Sequence, residues 1–169
     1  AWNVVDEPIQ EAEDRLKHCE DLKKHSVRFV VVRDYRNYIA SHIKHNEING
    51  GELPLEERIR PDIFKEYGKL VLEETAPYFP IFFDKWFSCP HYRKRVANKP
   101  SFYFTDIGLN SVPRFGGGSS FDLQRFDGKA QEMDVLNRYQ QYEDHPVYKQ
   151  YMEDKEAVEL NNNLLEKYR

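Results

Sequence analysis

The chain has 169 residues and a mass of 20.2 kDa, which suits a single domain extending over residues 1–169. Hydrophobic residues make up 40% and aromatic residues 14% of the sequence, which excludes a disordered chain. The net charge of -4 argues against a protein that binds nucleic acid mainly through phosphate contacts. No apolar run approaches the roughly 20 residues of a membrane-spanning helix, so we expect a soluble, cytoplasmic protein without a membrane partner.

The first third of the chain predicts a helix, a strand and a second helix. From Pro8 to Lys24, apolar residues recur at spacings of three and four among charged ones, which is typical of an amphipathic helix. The run from Val27 to Val32 is β-branched and nearly all apolar, as in a strand covered on both faces of a parallel sheet. A helix from Tyr35 to Asn46 follows, with Asp34 as its N-cap.

The middle of the chain repeats this alternation of helices and strands. Leu55 to Ala76 carries a long helical pattern, which Pro61 is expected to kink or split. Pro80 to Phe83 forms a second short apolar strand, and Pro90 to Asn98 a further helix. Strands that alternate with helices predict right-handed crossovers and a parallel sheet.

The last third begins with an irregular segment. Lys99 to Lys129 is rich in Gly, Ser, Pro and Phe, which predicts a long loop, and loops of this length are usually functional or disordered. Gln131 to Tyr142 and Pro146 to Tyr168 are expected to be helical. The sequence therefore predicts an α/β fold in which helices flank a parallel sheet and the carboxyl terminus is helical.

The cysteines and histidines show no pattern of metal ligands. Cys19 and Cys89 are far apart, and the six histidines form no HxH, HExxH or His/Cys cluster, so we expect no metal. His42 and His45 lie three apart on the helix that follows the first strand. They are the histidines placed to line an acceptor pocket, and an ordinary surface or core role is the alternative.

One stretch carries the pattern of a phosphate site. Arg33 leaves the carboxyl end of the predicted central strand, and Ser41 lies eight residues later on the following helix. Both can face the crevice in which open α/β sheets bind ligands. A guanidinium group offers charge-assisted, often bidentate hydrogen bonds to phosphate. The alternative is an arginine that pairs near the helix and a serine that bonds its own backbone.

This stretch resembles the sulfotransferase family that uses 3'-phosphoadenosine 5'-phosphosulfate (PAPS). Arg33, Asp34, Asn37 and Ser41 match the family pattern R-(D/N)-x-x-(D/N)-x-x-x-S. In that family the Arg and the Ser bind the 3'-phosphate of the nucleotide. The resemblance implies a three-layer fold of the P-loop nucleotide-binding type, with PAPS as co-substrate.

Two later stretches extend the resemblance over about residues 1–169. The run from Pro80 to Phe87 is similar to a later strand of the family and the helix start after it. The segment from Gly116 to Asp134 is similar to the basic, glycine-containing loop that folds over the nucleotide. On this basis Lys129, Arg125 and Gly128 are candidate cofactor-binding residues. A flexible connection with solvated cations is the alternative.

The resemblance also identifies what to expect for catalysis. The family holds the 5'-phosphosulfate with a K-x-G-(T/S)-(T/S) loop, which no segment of this sequence resembles, so we expect the chain to begin after that loop. A base that takes the acceptor proton follows the next strand of the family, where this chain has Asp6 and Glu7. These are the candidate catalytic residues. The alternative is that both acids stabilise a helix amino terminus.

The resemblance thus implies a sulfotransferase-like protein that moves a sulfuryl group from PAPS to a hydroxyl or amine acceptor, carbohydrates included. Its partners would be a nucleotide and a small-molecule or carbohydrate acceptor, and we expect no nucleic acid. The alternative is a non-catalytic nucleotide-binding or protein-interaction domain that retains the fold. A kinase is disfavoured because the sequence has no GxxxxGK(S/T) motif.

Overall fold

The sheet of the described residues consists of two short parallel strands. The structure, a computed structural model, describes residues 8–17, 28–51, 54–75, 77–99, 103–112, 114 and 118–169. Strand β1 is Phe29–Val32 and strand β2 is Phe79–Phe82, with Phe29 opposite Phe79 and Val32 opposite Phe82. Parallel pairing requires a crossover connection, and the helical chain between the strands provides it.

Most of the described chain is helical. Prolines start several helices, where their missing N–H costs no hydrogen bond, and aspartates cap two others. Besides two 3-10 helices at Ala130–Glu132 and Arg138–Tyr142, the helices are α1 (Ile9–Lys17), α2 (Tyr35–Ile48), α3 (Leu55–Arg58), α4 (Pro61–Glu73), α5 (Phe83–Ser88), α6 (Pro90–Asn98), α7 (Pro146–Tyr151) and α8 (Lys155–Lys167).

The core lies where α4 packs against the sheet and against α8. The buried side chains of β1 and β2 meet those of α2, α4 and α8 in one cluster. At Gly68 of α4 a Cβ would lie only 2.8 Å from Cδ2 of Leu160, so the missing side chain allows α8 to approach closely. Helix α4 therefore ties the carboxyl-terminal helix to the strands.

The mixed α/β character and the parallel pairing confirm part of the predicted fold. The helical pattern from Leu55 to Ala76 divides at Ile59 and Arg60, immediately before Pro61, as expected. Strand β2 begins one residue earlier than predicted, at Phe79. Every helix in the described ranges is too short or too polar to cross a lipid bilayer.

One predicted helix is wrong, and a second helical stretch is divided into two helices. Instead of one helix, residues 131–142 contribute to two separate 3-10 helices. The Leu136 carbonyl accepts a hydrogen bond from the Asn37 side chain and the Tyr139 N–H donates to it, so neither group takes part in a continuous helix. Pro146 to Tyr168 divides between α7 and α8, where the Asp154 carboxylate accepts from the Ala157 N–H and starts a new helix.

The buried side chain of Asn161 gives a test of how α8 holds the end of β1. Its Oδ1 accepts the Tyr35 N–H at 2.9 Å, so Asn161→Ala leaves a buried N–H unpaired and should lower the free energy of unfolding by about 1–3 kcal/mol. Asn162→Ala, on the exposed side of the same helix, is the matched control. Equal stability of the two variants in urea unfolding would contradict this role.

Candidate anion-binding site

The carboxyl ends of the two strands lie side by side and place four residues at one edge of the sheet. Arg33 and Asp34 follow β1, and Phe83 and Asp84 follow β2. Ligands of open α/β sheets bind at this kind of edge. The candidate site is therefore built on the first residues after each strand.

A buried polar network connects the two strand ends. The Asp34 N–H donates to Oδ2 of Asp84 at 2.7 Å, and the Asp34 carboxylate caps α2 by accepting the Arg36 N–H at 2.8 Å. Asp34 also forms a two-pronged ion pair with the Arg36 guanidinium, which lies 4.2 Å above the ring of Tyr139. The Asp34 carboxylate is thus fully engaged and does not form an ion pair with Arg33.

Arg33 is a desolvated cation with few partners. Its Nη2 donates to the Val135 carbonyl at a long 3.5 Å, and its guanidinium carbon lies 5.5 Å from the centroid of the Phe83 ring. Within the described residues, its buried Nε has no acceptor. Burial lowers the pKa of Arg33, while the nearby Asp84 carboxylate acts in the opposite direction.

Arg93 is a fully buried arginine whose contacts are those of a purely structural residue. Arg93 donates from Nε and Nη2 to the Asp106 carboxylate at 3.0 Å each, and from Nη1 to the carbonyls of Trp86 and Phe87. Almost every donor of Arg93 is used, whereas Arg33 keeps donors that a bound anion could satisfy. This contrast distinguishes Arg33 as the candidate anion ligand.

Asp84 is the acidic counterpart of Arg33 at this edge. Burial raises the pKa of its carboxyl, although the Asp34 N–H and the charge of Arg33 favour the ionised form. The charges of Asp84 and Arg33 interact through space, and no direct ion pair joins these two described residues.

Ser41 lies on α2, eight residues after Arg33, which precedes the helix. The Oγ atoms of Ser41 and Ser120 are 2.9 Å apart. Between them on the helix, Asn37 donates to the Leu136 carbonyl at 2.7 Å. Arg33, Asn37 and Ser41 thus each bond a residue of the segment 118–139.

This arrangement explains three positions of the sequence motif in physical terms. Arg33 and Ser41 bond Val135 and Ser120, two residues of the same covering segment, and their role as nucleotide ligands stays a prediction. Asn37 is completely buried and also accepts the Tyr139 N–H at 3.2 Å, so its side chain anchors the covering segment. Asp34 caps the helix and joins the strands.

Arg138 is a further cation at the site, which sequence reasoning placed in an ordinary helix. It is buried, forms an ion pair with Asp122 and lies 4.8 Å above the ring of Phe121. Its charge contributes to the lowered pKa of Arg33, which places the two guanidinium groups near one another. A lone arginine in a polar, aromatic segment gave no sequence signal for this proximity.

The other predicted cofactor ligands lie apart from this cluster. Arg125 and Lys129 are exposed, and each places its cationic group 5.5 Å from the centroid of the Phe126 ring. Nζ of Lys129 also lies 3.8 Å from Oε2 of Glu132. Gly128, immediately before Lys129, adopts a positive φ of 86°. Among the residues that the structure describes, none of these three forms a hydrogen bond or an ion pair with Arg33 or Ser41.

Asp6 and Glu7 lie outside the described residues. Within the ranges that are described, no group of three or more His, Cys, Asp or Glu side chains is arranged to hold a metal ion.

Comparison with known proteins gave no relative for this chain: no protein-family model, curated protein or solved structure matches it.

His42 provides a pH test of the positive surroundings of the site. Burial and the charges of His45, Arg33 and Arg58 lower its pKa to about 4, below the ordinary 6.5. The unfolded chain therefore binds more protons at this position between those values, and stability is lost as the pH falls through them. The loss from this group should be roughly 2–3 kcal/mol.

The measurement is urea unfolding at about pH 7 and about pH 4.5 for the parent chain and for His42→Phe, which keeps a ring against Tyr38. The variant should lose less stability on acidification than the parent. His91→Phe makes the same change at an exposed position and should behave as the parent does. Identical pH profiles for parent and His42→Phe would refute the assignment.

Proposed function

We propose that this chain is a sulfotransferase-like domain that binds PAPS, or its product adenosine 3',5'-bisphosphate, at the carboxyl end of β1. In this proposal the sheet is part of a three-layer fold of the P-loop type, and the 3'-phosphate contacts Arg33 and Ser41. The observation that carries the proposal is the state of Arg33, a half-buried cation whose buried Nε has no acceptor within the described residues.

The energetics of Arg33 favour an anion as its missing partner. A buried cation without a hydrogen-bonded counter-ion is costly, because desolvation is not offset by a charge-assisted bond. A phosphate oxygen at Nε would supply that bond and would add a negative charge between Arg33 and Arg138. Such a ligand fits the cluster better than a neutral one does.

Ser41 supplies the complementary hydroxyl. Its Oγ shares one hydrogen with Ser120, and a hydroxyl rotates freely to suit a stronger acceptor. On nucleotide binding, Ser41 would donate to the 3'-phosphate while Ser120 keeps its place in the covering segment. The same segment would then close over the nucleotide, with Arg125, Gly128 and Lys129 as its exposed part.

The proposed reaction is an in-line transfer. The acceptor hydroxyl or amine attacks the sulfur of PAPS, a new S–O or S–N bond forms, and the bond to the 5'-phosphate oxygen breaks. The acceptor proton passes to a base, for which Asp6 and Glu7 are the candidates. The leaving group is adenosine 3',5'-bisphosphate, which carries the charge of the broken bond.

Calorimetry with two nucleotides tests the 3'-phosphate site. Adenosine 3',5'-bisphosphate should bind more tightly than adenosine 5'-monophosphate, because only the former offers the phosphate that Arg33 and Ser41 would hold. Arg33→Ala should weaken binding of the bisphosphate by at least about tenfold, since one charge-assisted hydrogen bond contributes roughly 1.5–3 kcal/mol.

Arg95→Ala is the matched control, because Arg95 is an exposed arginine on α6, against Tyr92. It should leave both affinities unchanged. Equal affinity of the parent chain for the two nucleotides, or an Arg33→Ala variant that binds as the parent does, would overturn the proposed site.

The covering segment gives an independent test. If the segment 118–129 closes over the nucleotide, its amide hydrogens should exchange more slowly when adenosine 3',5'-bisphosphate is bound, as lids generally do. The Ser119 and Leu123 amides, which already pair with each other's carbonyls, serve as an internal reference of slow exchange. Exchange that saturating nucleotide leaves unchanged would make this segment a connector.

A further inference from the structure

Helix α6 directs two unpaired cations away from the core. Its buried side chains are Tyr92, Arg93 and Val96, so the other side of the helix faces outwards. Lys94 and Arg95 are exposed on that side. Arg95 contacts the ring of Tyr92, and within the described residues neither cation forms an ion pair. Because α6 contains no acidic residue, its outer side is cationic on a chain whose net charge is -4.

The other cations of this region are already neutralised. Arg93 is paired with the Asp106 carboxylate, and Lys99, immediately after the helix, lies 3.1 Å from Glu74. The charge that remains for a partner is therefore that of Lys94 and Arg95.

The segment after α6 exposes two large apolar side chains. Tyr103 is 94% exposed and Ile107 is 88% exposed, the highest values for large hydrophobic residues in the described ranges. The Ile107 N–H donates to the Thr105 hydroxyl at 3.3 Å, and Asp106 between them is bonded to Arg93 of α6. These contacts attach the segment to the cationic helix and hold both apolar side chains in water, where they cost free energy.

An apolar groove connects Tyr103 with α6. The groove has a volume of about 280 Å³, is open to the surface and is lined by Tyr103, Trp86, Val96 and Ala97 among others. Ala97 lies three residues after Lys94, and residues three apart are neighbours on a helix. The cations, the groove and the protruding apolar side chains therefore belong to one surface.

We infer that this surface, formed by Lys94, Arg95, Tyr103, Ile107 and the groove, docks reversibly on a lipid bilayer that contains anionic lipids. Anionic headgroups attract lysine and arginine side chains near the bilayer, and exposed aromatic and aliphatic side chains enter the headgroup region. A soluble anionic polymer would use the cations only and would leave Tyr103 and Ile107 in water. The combination of both features therefore favours a bilayer.

This docking surface is independent of the proposed nucleotide site. It replaces the expectation of a chain without a membrane partner, because that expectation rested on the lack of a membrane-spanning segment. A protein that lies on a bilayer needs no helix that crosses it.

The test is co-sedimentation of the whole chain with two kinds of vesicle, at low ionic strength and in the absence of nucleotide. One kind contains phosphatidylcholine alone, and the other contains equal parts of phosphatidylcholine and phosphatidylserine. The chain should sediment with the mixed vesicles and much less with phosphatidylcholine alone, and added salt should weaken the binding because it screens the charges.

Two variants separate the contributions of charge. Lys94→Gln/Arg95→Gln should weaken binding to the mixed vesicles by about thirtyfold, since each cation near an anionic bilayer contributes about fivefold. Lys149→Gln/Lys155→Gln removes the same charge from exposed lysines of α7 and α8 and should bind as the parent does.

Two further variants test the apolar side chains. Tyr103→Ser/Ile107→Ser should weaken binding by about tenfold at low and at high salt, because it removes apolar surface rather than charge. Ile48→Ser/Leu123→Ser makes a similar change at other exposed apolar positions and should match the parent.

Equal sedimentation with both kinds of vesicle, or parent-like binding by Lys94→Gln/Arg95→Gln or by Tyr103→Ser/Ile107→Ser, would overturn the inference. So would binding to soluble dextran sulfate without sedimentation with the mixed vesicles, which would assign the cations to an acidic polymer instead.

Discussion

The hydrogen bond from the Asp34 N–H to the Asp84 carboxylate is the constraint on which this structure depends. It joins the first residues after two parallel strands that contribute only four residues each, a length at which backbone pairing alone is weak. The Asp34 carboxylate extends the network to Arg36, and Asn161 completes it from α8. Sheet, crossover helix and carboxyl-terminal helix are thereby fixed to one another at the edge where a ligand would bind.

The fold was predictable wherever local pattern and tertiary contacts agree. The β-branched run before Arg33, the cap at Asp34 and the break before Pro61 each follow from the sequence, because the sequence signal concerns the same residues that form the element. The helix predicted from Gln131 to Tyr142 failed because its backbone bonds a side chain about 100 positions away, at Asn37. Local periodicity contains no information on such a partner.

In the candidate site, too, local sequence predicts some features and distant contacts determine the others. The sequence was sufficient to place Arg33 after β1 and Ser41 on the helix that follows, because the β-branched run and the cap at Asp34 mark the boundary between the two elements. Their surroundings depend on burial, which the sequence does not report: the unsatisfied Nε of Arg33 and the nearby Arg138 became visible only in three dimensions. The exposed cations Arg125 and Lys129 looked similar in the sequence, yet they lie around Phe126.

The contacts of the Arg33–Asn37 corner also determine when in folding this edge can form. Arg33 bonds a carbonyl 102 positions later, Asn37 one 99 positions later, and Tyr35 a side chain 126 positions later. Contacts between such distant residues carry a large loop-closure entropy and form slowly. The strand pair and α4 can assemble from nearer parts of the chain, but the edge that carries Arg33 is completed only when the last helix docks, so this edge forms late in folding.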